Sequence, residues 1–152
     1  MPIQCALQIA VCSESDFYRI DEMVTGIAFE IHNELGRFLD EEVYKKELAY
    51  RLTHLGHQTA QEIRFTLSHG AYRKDYAADL IVNGSVVVEA KTADKTVPAH
   101  HAQGVNYLHL AGAQHGTLLN FRPRRVDHAF LSTKLDGQMR KRMAFLKTVG
   151  SK

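Results

Sequence analysis

Ala78-Asp79-Leu80-Ile81-Val82-Asn83-Gly84-Ser85-Val86-Val87-Val88-Glu89-Ala90-Lys91 is the stretch whose reading decides the fold. Asn-Gly between two β-branched runs is the strongest short-range signal for a β-hairpin. A strand as apolar as Val86-Val87-Val88 is expected to be covered on both faces. Lys, Asp and Glu are almost never fully buried unless paired, so Asp79, Glu89 and Lys91 require a reason. Glu89 and Lys91 lie two apart on a strand and point to one face. A two-residue loop at Asn83-Gly84 would pair Asp79 with Val88 and turn its carboxylate the other way. A three-residue loop, Val82-Asn83-Gly84 with Gly84 left-handed in a bulge, would set Asp79 opposite Val87 and restore the match. An odd loop or a bulge is therefore required if the two carboxylates are to converge.

Working outward, two helices should precede the hairpin. Met23, Val24, Ile27, Ala28, Ile31 and Leu35 follow helical spacing from Asp21, and Gly36 is a natural stop. A second helix is predicted from Asp40 to Leu55, with a stripe of Val43, Tyr44, Leu48, Leu52 and Leu55 and Gly56 after it. The short link through Arg37-Phe38-Leu39 makes the two helices neighbours. Gln58 to Leu67 alternates as a strand, and Ser68-His69-Gly70 turns into a second strand, Tyr72 to Val82. Beyond Lys91, Pro98 opens a helix that Gly112 ends. Gly116 to Phe121 and Val126 to Leu131 are two further strands. Ile3 to Val11 reads as either a short strand or an added helix, and Ser13-Glu14-Ser15-Asp16 as a loop ending in a cap. The order is helix, helix, three strands, helix, two strands: an α/β chain with a central mixed sheet flanked by helices.

With 152 residues, 45% hydrophobic and 24% charged, the chain fits one domain with a proper core. Its expected core is 21–132, with an N-terminal extension at 1–20 and a basic segment at 133–152. No run of about 18 apolar residues predicts a membrane span. The start lacks the positive region of a secretory signal, and two cysteines, Cys5 and Cys12, cannot build a disulfide framework or a four-cysteine zinc site. A reduced, cytoplasmic setting is expected. Residues 122–152 carry nine Lys/Arg against Asp127 and Asp136, or +7, leaving −5 elsewhere for a net +2. Such asymmetry fits a polyanion contact, and equally a solvated basic tail.

Two carboxylates converging beside a lysine suit Mg²⁺ or Mn²⁺, which bind through a few carboxylates and keep waters for substrate phosphate. A metal there would polarise a phosphodiester and acidify a bound water, while Lys91 would steady the attacking water or the charge on phosphorus. The D…E-x-K spacing alone is also met by a surface Glu–Lys pair with a turn-side Asp. Other motifs carry less. His100 and His101 lead a helix and could bind phosphate or metal, against the commoner reading of satisfied or solvated histidines. His54 and His57 straddle a helix end with no further Cys or His nearby. Tyr44 and Tyr107 read as core residues with bonded hydroxyls, and Asn120 as satisfied by backbone. No Gly-rich phosphate loop or Gly-x-Ser-x-Gly elbow is present.

Asp, hairpin, then Glu89-Ala90-Lys91 resembles the PD-(D/E)XK nuclease superfamily. More narrowly, residues from about Val24 to Phe121 resemble its GxxExxY protein family, in Ile31-His32-Asn33-Glu34-Leu35-Gly36, Glu41-Glu42-Val43-Tyr44, Tyr76-Ala77-Ala78-Asp79-Leu80, Glu89-Ala90-Lys91, Pro98-Ala99-His100-His101-Ala102-Gln103 with Tyr107-Leu108, and Leu119-Asn120-Phe121. The resemblance implies a restriction-endonuclease-like three-layer core and Mg²⁺-dependent cleavage of DNA or RNA. It implies Asp79 and Glu89 as metal ligands, Lys91 as the catalytic lysine, Glu41 as an additional acidic metal ligand, and Gln103 contacting the site or the nucleic acid. Two positions depart from it: Phe38 stands at the first glycine of the signature and Ala77 at an arginine. Phe38 would alter the loop before Glu41, and Ala77 removes a positive charge near the metal. An alternative is an inactive nuclease-fold module that binds nucleic acid or a protein partner. Nucleic acid is the expected partner, no membrane is, and a homodimer is open.

Overall fold

The computed structural model describes residues 3–5 and 9–133. The basic segment expected at 133–152 lies outside the described residues from 134 onward. In chain order the elements are β1 (Ile3–Cys5), α1 (Glu14–Leu35), α2 (Glu41–His54), β2 (Thr59–His69), β3 (Tyr72–Val82), β4 (Val86–Lys91), α3 (Pro98–Ala111), β5 (His115–Asn120) and β6 (Asp127–Ser132). The six strands form one sheet in sequence order. Only β4 and β5 run parallel, from Val86↔His115 to Lys91↔Asn120. A parallel pair needs a crossover, and α3 supplies it.

Two apolar layers hold the sheet. On one side Phe17, Val24, Ile27, Ala28 and Ile31 of α1 and Tyr44, Leu48 and Leu52 of α2 pack on Leu80, Val82, Val86, Val88 and Leu119. On the other, Tyr107, Leu108, Leu110 and Ala111 of α3 pack on Ile81, Val87 and Leu118. Val86 through Ala90 are all buried, as a strand covered on both faces requires. The mixed sheet between helices confirms the expected α/β class. Gly104 lets α3 approach β6, because a Cβ there would come within 2.5 Å of Leu131 Cδ1.

Several boundaries differ from the expectation. Helix α1 begins at Glu14, not Asp21, because Ser13 caps it: its side chain accepts from the Asp16 N–H at 3.1 Å. Phe17 then starts the apolar stripe one and a half turns earlier than Met23. Ile3–Cys5 settles as an edge strand paired with Phe65–Leu67. Val43 and Leu55, placed on the buried stripe of α2, are exposed. Tyr44 instead anchors that helix, stacked on Phe121 at 4.5 Å and donating its hydroxyl to the Gly36 carbonyl at 2.6 Å. The same hydroxyl accepts from the Leu39 N–H, so Phe38, 74% exposed, is carried outward and α2 still starts at Glu41. Among the described residues no helix is long and apolar enough to cross a membrane.

Candidate active site at the strand fork

The hairpin closes with Val82↔Val86, Ile81↔Val87 and Leu80↔Val88 in register. Its loop is therefore Asn83-Gly84-Ser85, odd as the parity argument demanded, but one residue later than expected. Asn83 and Gly84 both take left-handed backbone, at φ 52° and 67°. The register continues to Asp79 opposite Glu89, and there the backbone ladder stops. Strand β4 stays with β5 to Lys91, whereas β3 stays with β2 to Tyr72, so the two strands part.

Opening a ladder strands its N–H groups, and buried donors must find acceptors. The two carboxylates provide them. Glu89 Oε1 accepts from the Asp79 N–H at 3.0 Å, and Asp79 Oδ2 accepts from the Ala90 N–H at 2.9 Å. Each acid is thus locked to the opposite strand, and both face the opening of the fork.

Strand β3 also changes phase here. Ala78 and Ile81, three apart, both belong to the core beneath α3, while Leu80 belongs to the core beneath α1 and α2. Strand β2 shifts with it: Ala60 and Ile63 both pack toward α3. Between them Glu62 has φ 51°, a left-handed conformation uncommon for a residue with a Cβ. The neighbouring pairs Gln61↔Leu80 and Ile63↔Ala78 set Glu62 across from Asp79. Simple alternation in the sequence gave no sign of this shift.

Glu89 is only 2% exposed. Burial, and next the Asp79 charge, push its carboxyl up to about 9. Lys91 Nζ donates to Gln103 Oε1 at 2.7 Å, so the expected lysine and glutamine meet across β4 and α3. Asn120 fixes the connection between them. Its Oδ1 accepts from the Ala93 N–H at 3.0 Å, and its Nδ2 donates to the Ala93 carbonyl at 2.9 Å. His100 plays a structural part: its Nδ1 accepts from the Val97 N–H at 3.2 Å at the start of α3. His57 bonds Asn83 and His54 stacks on Tyr50, so neither forms a metal pair.

Glu41 is the first residue of α2. Among the described residues no group of three or more His, Cys, Asp or Glu stands at metal-holding spacing, so Glu41 does not complete a triad with Asp79 and Glu89. The α2 side chain that reaches the fork is Lys45, four residues on and on the same helix face. Its Nζ lies 3.1 Å from Asp79 Oδ1, 2.7 Å from Glu62 Oε1 and 3.6 Å from Glu42 Oε2. Burial alone would lower its pKa, but Glu62 and Asp79 outweigh that and hold it above the usual lysine range. Tyr107, read as core, is buried and also senses the site: burial, then Glu89 and Asp79, push its phenol up to about 12. Lys45 and Glu62 escaped the sequence reading. For Lys45 a signal existed in its four-residue offset from Glu41.

A mixed sheet between helical layers, forked to present an Asp on one strand and Glu-x-Lys on the next, defines the restriction-endonuclease-like class of α/β fold. A family model described as the PD-(D/E)XK nuclease superfamily matches residues 18–130, and the chain belongs to that superfamily. Among solved structures, one titled "Crystal structure of SSO0001" is similar, with TM-score 0.51 and 25% identity. The similarity covers 71% of this chain and 57% of that one, so the match spans little more than half of the other chain's length. No curated protein matches the chain.

Proposed function

We propose that this chain is a divalent-metal-dependent nuclease that hydrolyses phosphodiester bonds of DNA or RNA at the fork, within the GxxExxY branch of the superfamily. The observation that carries this is the mutual locking of Asp79 and Glu89, with Lys91 and Gln103 joined beside them. The donor set fits a hard cation: two carboxylates meet side by side, and burial together with the Asp79 charge pushes Glu89 up to about 9. One or two carboxylates with waters are what Mg²⁺ and Mn²⁺ ordinarily use. Asp79 and Glu89 would hold the ion, which when bound would polarise the scissile phosphate and acidify a coordinated water.

The chain's own residues do the rest. Glu89 must give up its proton to serve as a ligand. The Ala90 N–H keeps the Asp79 carboxylate turned toward the fork. Lys91, oriented by Gln103, offers ammonium protons to the charge that develops on the phosphoryl oxygens. Glu41 stays outside this set in the present arrangement. Cleavage of single- and double-stranded DNA and RNA with Mg²⁺, Mn²⁺ or EDTA, beside Asp79→Ala and Lys91→Ala, tests the reading. Metal-dependent cleavage should fall at least about a hundredfold in both variants. Equal activity in all three proteins would overturn the site, and salt-sensitive binding without cleavage would leave a binding module.

A further inference from the structure

Lys45 is a partly buried cation spent on the fork, and nothing in the proposed hydrolysis uses it. Its side chain is 12% exposed and contacts three carboxylates, at 2.7, 3.1 and 3.6 Å. The nearest belongs to Glu62, whose left-handed backbone lies across from Asp79. A non-glycine residue held in that region persists only where its surroundings compel it, and such strain collects at functional sites. Here the strain brings a carboxylate to Lys45 and so fixes the ammonium on Asp79.

We propose that Lys45 is a resident counter-cation of the site, a positioning residue that competes with the divalent ion for Asp79 and so raises the metal concentration needed to load the fork. This rests on the reading of Asp79 and Glu89 as metal ligands. With the ion absent, Lys45 offsets the charge of Asp79 and keeps the fork closed on its own hydrogen bonds. When an ion is bound, the ammonium must retreat, because two positive charges on one carboxylate repel strongly at this burial. Glu62 and Glu42 give it somewhere to go: both already touch Nζ. The device is a swing of the Lys45 ammonium between Asp79 and two outer carboxylates, Glu62 of β2 and Glu42 of α2.

Mn²⁺ binding to the intact chain, followed by electron paramagnetic resonance of the free ion, reads this without any catalytic assay. Lys45→Met should bind Mn²⁺ about tenfold more tightly than wild type, and Lys45→Arg, which keeps the charge, should stay near wild type. Binding by Lys45→Met that is equal to or weaker than wild type would overturn the competition while leaving the metal site standing. No binding by either protein would remove the metal site itself, and with it this inference. Should Lys45→Met fail to fold, the wild type still decides. The ¹⁵N-resolved ammonium resonance of Lys45, protected by its ion pairs, should shift when Mg²⁺ is added. An Lys45 signal unchanged by saturating Mg²⁺ would overturn the proposal.

Discussion

The two halves of β4 have nearly identical burial and opposite chemistry. From Val86 to Val88 the strand pairs with β3 through backbone alone, and its side chains are apolar on both faces. From Glu89 to Lys91 the pairing with β3 gives way to carboxylates that accept the stranded N–H groups. The first half specifies a fold, and the second gives up packing to assemble polar groups that conflict with one another. Burial by itself does not tell structure from function. What tells them apart is whether the buried side chains pack apolar surface or bring carboxylates together to accept from the opposite strand.

Substitution should separate the halves by sign. Leu80, buried opposite Val88 in the apolar half, should cost about 3 kcal/mol when changed to alanine, read from urea unfolding. Asn120→Ala strands the Ala93 N–H and carbonyl and should cost about 2 kcal/mol. It should also loosen the Lys91–Gln103 pair, lowering kcat in any nuclease assay more than it raises KM.

Glu89→Gln should do the reverse. Glu89 is raised from 4.5 to about 9, so the folded chain holds a proton that the unfolded chain has released between those values. Its folded-state pKa lies above the unfolded one, so stability contributed by the protonated group is intact below pH 4.5 and drains away as pH climbs toward 9. The amide keeps the oxygen that accepts from Asp79 N–H and removes the titration. Glu89→Gln should therefore match wild type near pH 5 and exceed it by about 2 kcal/mol at pH 8. A wild type whose stability does not fall over that range would show that Glu89 is not strained. The smallest effect belongs to Phe38, exposed with Arg37 over its ring at 4.6 Å. Phe38→Gly should change stability by less than about 0.5 kcal/mol, since Tyr44 holds the loop.

Much of this was legible in the sequence because local chemistry decided it. Asn83-Gly84 wrote the hairpin, Pro98 and Gly112 bounded α3, and the parity of Glu89 with Asp79 demanded an odd loop. The start of α1 was missed because Ser13 and Asp16 both suit a cap, and only tertiary packing of Phe17 decides between them. Asp79, Glu89 and Lys91 can be grouped from strand spacing, and Gln103 joins them through the family resemblance alone. Lys45 and Glu62 followed from neither, since their roles depend on how α2 sits over the sheet and on one left-handed residue in a strand. Propensity assigns no such conformation to a glutamate.

The central claim is that the fork is built to exchange its proton for a divalent ion. Titration of the chain with Mn²⁺ at pH 7.5, in two buffers of different ionisation enthalpy, measures ions bound and protons released together. The account predicts one Mn²⁺ at the fork with about one proton released from Glu89, and loss of both in Glu89→Gln. Binding in that variant equal to wild type, with no proton released by either, would contradict it.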